Sequence, residues 1–146
     1  MNEATVSSRI ITHFKECFGS RVVCFKHNDR LTAGIPDISI TAFGTTHWFE
    51  VKLLKAMIET EKSLRKHFDM LQLSSLVLME KSGKASYLVA VHSPGGRQTY
   101  MVEMSPEVLM NCFKGEFNRE LFQSELTGKM QLFGVTLEDL KLRMKS

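Results

Sequence analysis

Between Glu3 and Phe18 the apolar positions are Val6, Ile10, Ile11, Phe14, Cys17 and Phe18. Their steps of three and four mark one stripe of an amphipathic helix, and Gly19 stands where such a helix closes. The period then shortens. Arg21 to Lys26 is β-branched and aromatic and reads as a strand, followed by a polar loop from His27 to Gly34. Ile35 to Phe43 reads as a second strand entered through Pro36, which has no amide to give a ladder. Gly44-Thr45-Thr46 reads as a three-residue hairpin turn and His47 to Leu53 as a third strand. Lys55 to Ser63 is charged, lacks an apolar period and reads as a mobile loop. A long helix is expected from Leu64 to Glu80, with Phe68, Leu71, Ser75 and Leu78 near one face and Gly83 ending it. Ala85 to Val91 is apolar almost throughout, as an interior strand should be. Ser93 to Gly96 reads as a turn and Gln98 to Met104 as an edge strand.

In the tail, Ser105-Pro106-Glu107 has the cap, first-turn proline and acid that open a helix. Thr136 to Asp139 resembles a second helix start. Leu109, Met110, Phe113, Phe117, Leu121 and Phe122 recur at helical spacing and form a wide apolar stripe. That stripe either packs on the chain's own sheet or pairs with a second copy. The order α-β-β-β-α-β with a helical tail places the chain in the α/β class. Residues 1–104 form the expected core, and 105–146 a helical extension of the same domain, too short for a core of its own.

Composition narrows this modestly. The 146 residues amount to one domain, and no apolar run is long enough to span a membrane. The opening MNEATVSSRI lacks the apolar region of a secretory signal, so an intracellular protein is expected, in the cytoplasm, nucleus or nucleoid. A net charge of +3 and a pI near 8.8 suit nucleic acid without requiring it. Cys17, Cys24 and Cys112 are odd in number with no CxxC spacing, so reduced thiols are expected rather than zinc or disulfides. His13, His47, His67 and His92 show no ligand spacing and read as structural or exposed.

The chemistry concentrates in Gly34-Ile35-Pro36-Asp37 and, after twelve intervening residues, Glu50-Val51-Lys52. Strand alternation turns Trp48, Glu50 and Lys52 to one side. In a hairpin, Asp37 near the start of one strand approaches Glu50 near the end of the other. Carboxylates that close repel unless a cation lies between them. A hard divalent ion such as Mg²⁺ suits that pair together with substrate phosphate. Lys52 would then orient or help deprotonate the attacking water and offset charge on the phosphate.

At these residues the sequence resembles the PD-(D/E)XK nucleases, and more narrowly their VRR-NUC branch and archaeal-type Holliday junction resolvases. Phe25-Lys26-His27 before the Asp37 motif, Gln72 in the following helix, and Gly83 with Tyr87 to Val91 add to the likeness. The resemblance implies a restriction-endonuclease-like core over Glu3 to about Val91 and a Mg²⁺- or Mn²⁺-dependent endonuclease acting on DNA. It implies Asp37, Glu50, Lys52 and Gln72 as catalytic residues, and Glu3, Asp37 and Glu50 as metal ligands. Glu3, in line with Val6, Ile10 and Phe14, is assigned as the helix acid, with Glu16 as the alternative. Lys26, His27, Lys55, Lys62, Arg65 and Lys66 are candidates for nucleic-acid contact. Branched DNA or duplex is the implied partner and a homodimer the implied assembly. A silent binding module on this fold, or a nicking or restriction-type nuclease, are the alternatives.

Overall fold

Asn2 opens the first helix, α1 (Glu3–Phe18), by accepting a hydrogen bond from the Thr5 amide at 2.9 Å. Gly19 closes it in the left-handed region, φ 59°, with its amide on the Lys15 carbonyl. The computed structural model describes residues 2–27, 34–93, 97–113, 117–127 and 131–145. Residues 28–33 of the expected polar loop and 94–96 of the expected turn lie outside them. After α1 the order is β1 (Val22–Lys26), β2 (Ile38–Ala42), β3 (Thr45–Leu54), α2 (Glu61–His67), α3 (Met70–Ser82) and β4 (Lys84–His92). Then come β5 (Thr99–Met104), α4 (Pro106–Phe113), α5 (Arg119–Thr127), β6 (Gln131–Leu132) and α6 (Phe133–Lys145).

The strands form one sheet in chain order, β1 to β6. Among the described residues only the central pair, β3 and β4, runs parallel, with α2 and α3 as the crossover. Each face of the sheet is covered. On one side Val6, Ile10, Phe14 and Phe18 of α1, with Leu137, Leu140 and Met144 of α6, pack on Ile38, Ile40, Phe49, Val51, Leu88 and Ala90. On the other, Leu64, Leu73, Leu76, Leu109, Phe113 and Phe122 pack on Leu54, Tyr87, Val89 and Val102. The chain is therefore an α/β three-layer structure with a mixed sheet, as the pattern of elements predicts.

Several boundaries move. The hairpin turn is Phe43-Gly44, both left-handed at φ 54° and 76°, so β3 starts at Thr45 and runs to Leu54. Phe43 tolerates that conformation against Phe18, ring centroids 5.3 Å apart. The strand predicted from Ile35 begins only at Ile38. The segment read as a mobile loop contains fully buried Ile58 and the first residues of α2. The single helix expected over Leu64 to Glu80 is two. Phe68 is extended and buried, and Asp69 restarts the chain as an N-cap, accepting from the amides of Leu71 and Gln72. The restart shifts the helical face, so Leu71 and Leu78 are exposed, while Leu73 and Leu76 are buried.

In the tail, β5 is not an edge, because β6 pairs beyond it. Thr136 lies inside α6 rather than at its start, and its hydroxyl donates to the Met101 carbonyl at 2.9 Å. The stripe from Leu109 to Phe122 divides between α4, the link at Phe117 and α5; Leu109, Phe113 and Phe122 are buried in the chain's own core, and Met110, Phe117 and Leu121 are partly buried against it. Asp69→Ala should cost about 1 kcal/mol through loss of the α3 cap, read as a lower midpoint in urea with an unchanged slope.

Candidate active site

The ladder between β2 and β3 ends at Ile38 opposite Phe49, because Pro36 has no amide with which to continue it. Beyond Phe49, β3 runs on for five residues with no strand paired on its β2-facing edge among the described residues. Two carboxylates take the amides there. Asp37 Oδ2 accepts from the Val51 amide at 3.0 Å, and Glu3 Oε2 from the Leu53 amide at 2.9 Å. In return the Asp37 amide donates to Glu50 Oε1 at 3.1 Å. Asp37 and Glu50 are thus locked reciprocally across the point where the strands part. Gly34 itself lies close against α3. Its φ is 92°, and a Cβ there would lie 2.5 Å from Ser75 Oγ.

Glu50 is 3% exposed. Lys52 Nζ stands 3.3 Å from its Oε2, on the same face of β3 two residues on. Burial first, then the charge of Asp37, raise the Glu50 carboxyl to about 7, against the lowering effects of Lys52 and a hydrogen bond from Gln72. Gln72 Oε1 is itself buried with no partner. On the neighbouring strand Tyr87 lies opposite Glu50, its hydroxyl also buried and unpartnered, and burial with the charges of Glu50 and Asp69 raises its pKa. Sequence reading missed Tyr87, because its pattern shows only an apolar strand.

The structure brings Asp37, Glu50, Lys52 and Gln72 together and sets Glu3 beside them. Glu3 is exposed overall, although its carboxylate is anchored. Glu16 lies further along α1, bordering a separate cleft with Arg9 and Thr12. The three acids Glu3, Asp37 and Glu50 do not bring their oxygens within 4.8 Å of one another. The expected three-ligand set is therefore a carboxylate pair with Glu3 alongside, displaced because it caps an amide two residues further along β3.

The other candidates separate. Lys26 ends β1, as its strand pattern predicts, and its ammonium donates to Ser8 Oγ of α1 at 2.8 Å. His27 instead bonds Ser39 Oγ at 2.8 Å and stacks on Trp48, centroids 5.2 Å apart. Lys55, Glu3, Leu53, Met57, Ser63 and His67 line a cleft of about 630 Å³. Lys62, Arg65 and Lys66 are exposed on α2, which supplies Ser63 and His67 to that cleft. Arg65 is held by Glu61 at 3.0 Å and lies over the Phe113 ring. Ser63 and His67 carried no signal in the sequence beyond a helical spacing of four.

The donor set suits a hard divalent cation. It offers two carboxylates whose mutual repulsion a cation would relieve and an orphaned amide oxygen beside them. No family model matches the sequence, and no curated protein matches it. Among solved structures the chain is similar to Archaeoglobus fulgidus Hjc, a Holliday junction resolvase from an archaeal hyperthermophile. That likeness covers 66% of this chain and 75% of the other, at 16% identity and a TM-score of 0.37.

A carboxyl raised on folding makes stability fall with pH. Between about 4.5 and about 7 the folded state keeps a proton that the unfolded chain has released. Metal-free protein should therefore lose up to about 3 kcal/mol over that window, from the shift at 1.36 kcal/mol per unit. Thermal melts across pH should show the fall in wild type. In Glu50→Gln it should be absent, leaving that variant the more stable at neutral pH. Mg²⁺ should raise the neutral-pH midpoint of wild type and not that of the variant.

Proposed function

We propose that this chain is a metal-dependent endonuclease that hydrolyses phosphodiester bonds in DNA, with a preference for branched structures such as four-way junctions. The observation that carries the proposal is buried Glu50 locked to half-buried Asp37, with Lys52 at 3.3 Å from Glu50. A buried carboxylate beside a half-buried one, with a lysine at its side, is costly to fold around and gives the domain no packing advantage. The same three groups are what in-line attack on a phosphodiester needs.

Asp37 and Glu50 would hold Mg²⁺ or Mn²⁺. When bound, the ion would neutralise charge on the phosphate and favour ionisation of the attacking water. Lys52 orients that water and offsets negative charge developing on the non-bridging oxygens. Gln72 Oε1 supplies a fixed acceptor for one of the water's protons. Glu3, anchored on the Leu53 amide, holds the open edge of β3 and adds negative charge on the side where α1 approaches. Lys55 and the α2 cations Lys62, Arg65 and Lys66 flank the adjoining cleft and would follow a phosphate backbone.

The decisive assay incubates the protein with labelled duplex, flap, single-stranded and four-way-junction DNA, each with Mg²⁺, Mn²⁺ or EDTA. Cleavage with metal and none in EDTA is expected, fastest on the junction. Tight binding with no cleavage under any condition would identify a silent binding module instead. Asp37→Asn should abolish cutting while the fold persists. Lys52→Ala should slow it on the order of 10²-fold or more.

Glu3→Gln should weaken the metal-dependent rate, whereas Glu16→Gln should leave it unchanged. The same cleavage assay reads both, and the reverse order would transfer the helix acid to Glu16.

A further inference from the structure

A second set of metal-ligating groups lies far from the carboxylate pair. His13 and Cys17, four residues apart on α1, face Glu138 of α6. His13 Nε2 is 3.7 Å from Cys17 Sγ and 3.5 Å from Glu138 Oε1. One ligand atom from each residue falls within 4.8 Å of the other two, the one such group of three among the described residues. In a tetrahedral zinc site, bonds of about 2.3 Å to sulfur and 2.0–2.2 Å to nitrogen or oxygen put neighbouring ligand atoms about 3.4–3.6 Å apart. The two observed separations are close to those edges. His13 and Cys17 lie ten and fourteen residues from Glu3, about 15 and 21 Å along α1 at 1.5 Å per residue.

The site already accommodates a cation. Lys141 Nζ lies 2.7 Å from Glu138 Oε2 and 3.5 Å from Cys17 Sγ, so an ammonium balances the charge that a metal would balance. Both residues of α1 are half-buried, and Glu138 is more exposed, leaving a path from solvent. The donor types also separate this place from the nuclease site. Thiolate and imidazole favour zinc over magnesium, whereas the Asp37–Glu50 pair is all oxygen.

We propose that His13, Cys17 and Glu138 bind Zn²⁺, displacing the Lys141 ammonium and leaving the fourth position to water. The ion ties the C-terminal helix α6 to α1. No spacing rule for paired cysteines or histidines reveals this set, since two ligands are unlike and the third is 121 residues beyond Cys17 in the chain.

The test uses the full chain under a non-thiol reductant, with Co²⁺ as the spectroscopic probe. One equivalent should produce a thiolate-to-cobalt charge-transfer band and the visible bands of a tetrahedral ion, and one equivalent of Zn²⁺ should bleach them. Zn²⁺ should also raise the melting temperature. Cys17→Ser and His13→Gln, checked for fold by circular dichroism, should lose both effects. Asp37→Asn should keep them, which separates this site from the proposed nuclease centre. Lys141→Gln should bind Co²⁺ more tightly, because a competing cation is gone. The proposal is overturned if folded wild type gives no charge-transfer band, if the band survives Cys17→Ser, or if Lys141→Gln binds more weakly.

Discussion

The whole site hangs on one constraint: β3 is longer than the strand beside it. A proline without an amide stops β2 at its entrance, and the amides of Val51 and Leu53 lose their ladder partners. Orphaned amides next to a core are expensive, so something must accept from them. Here the acceptors are carboxylates from two distant parts of the chain, Asp37 and Glu3. The requirement to satisfy a sheet edge and the requirement to gather negative charge are met by the same atoms.

The alternation of β3 then sorts chemistry from packing. Phe49, Val51 and Leu53 enter the layer under α1 and α6, while Trp48, Glu50, Lys52 and Leu54 face the layer of α2 to α5. Glu50 and Lys52 therefore sit in a position that a hydrophobic pair would fill at less cost. Their confinement follows from the parallel neighbour β4, whose Tyr87 and Val89 wall them in. Gln72 reaches Glu50 because Asp69 restarts the helix. A continuous helix through Phe68 would present a different face to the sheet.

The readable parts of this chain are those whose cause is local. α1 runs between the limits that its apolar stripe and Gly19 mark, and the strands around Asp37 and Glu50 follow from alternation. The break between α2 and α3 was hidden because Leu64 to Glu80 keeps a helix-like composition, and Phe68 leaves the helix to pack edge-on against the rings of Tyr87 and Phe122. Two-residue β6 has too few residues to show a period. Lys26 and His27 look like one basic unit in sequence, yet strand alternation sends them to opposite faces. The carboxylate pair and its lysine were legible as a motif. Glu3 was found by its helical face, although what fixes it is an amide fifty residues away.

The reciprocal bonds between Asp37 and the Glu50–Val51 segment bear on how such a centre can be lost. Each residue's position is defined by the other's hydrogen bond. Truncating Asp37 frees an amide on β3 and loosens the backbone that steadies Glu50. Truncating Glu50 removes the acceptor that fixes the Asp37 amide. The two positions are therefore epistatic, with the second substitution costing less than the first. A chain that drifts away from this arrangement would shed both residues in quick succession, and forms keeping only one of the two would be short-lived.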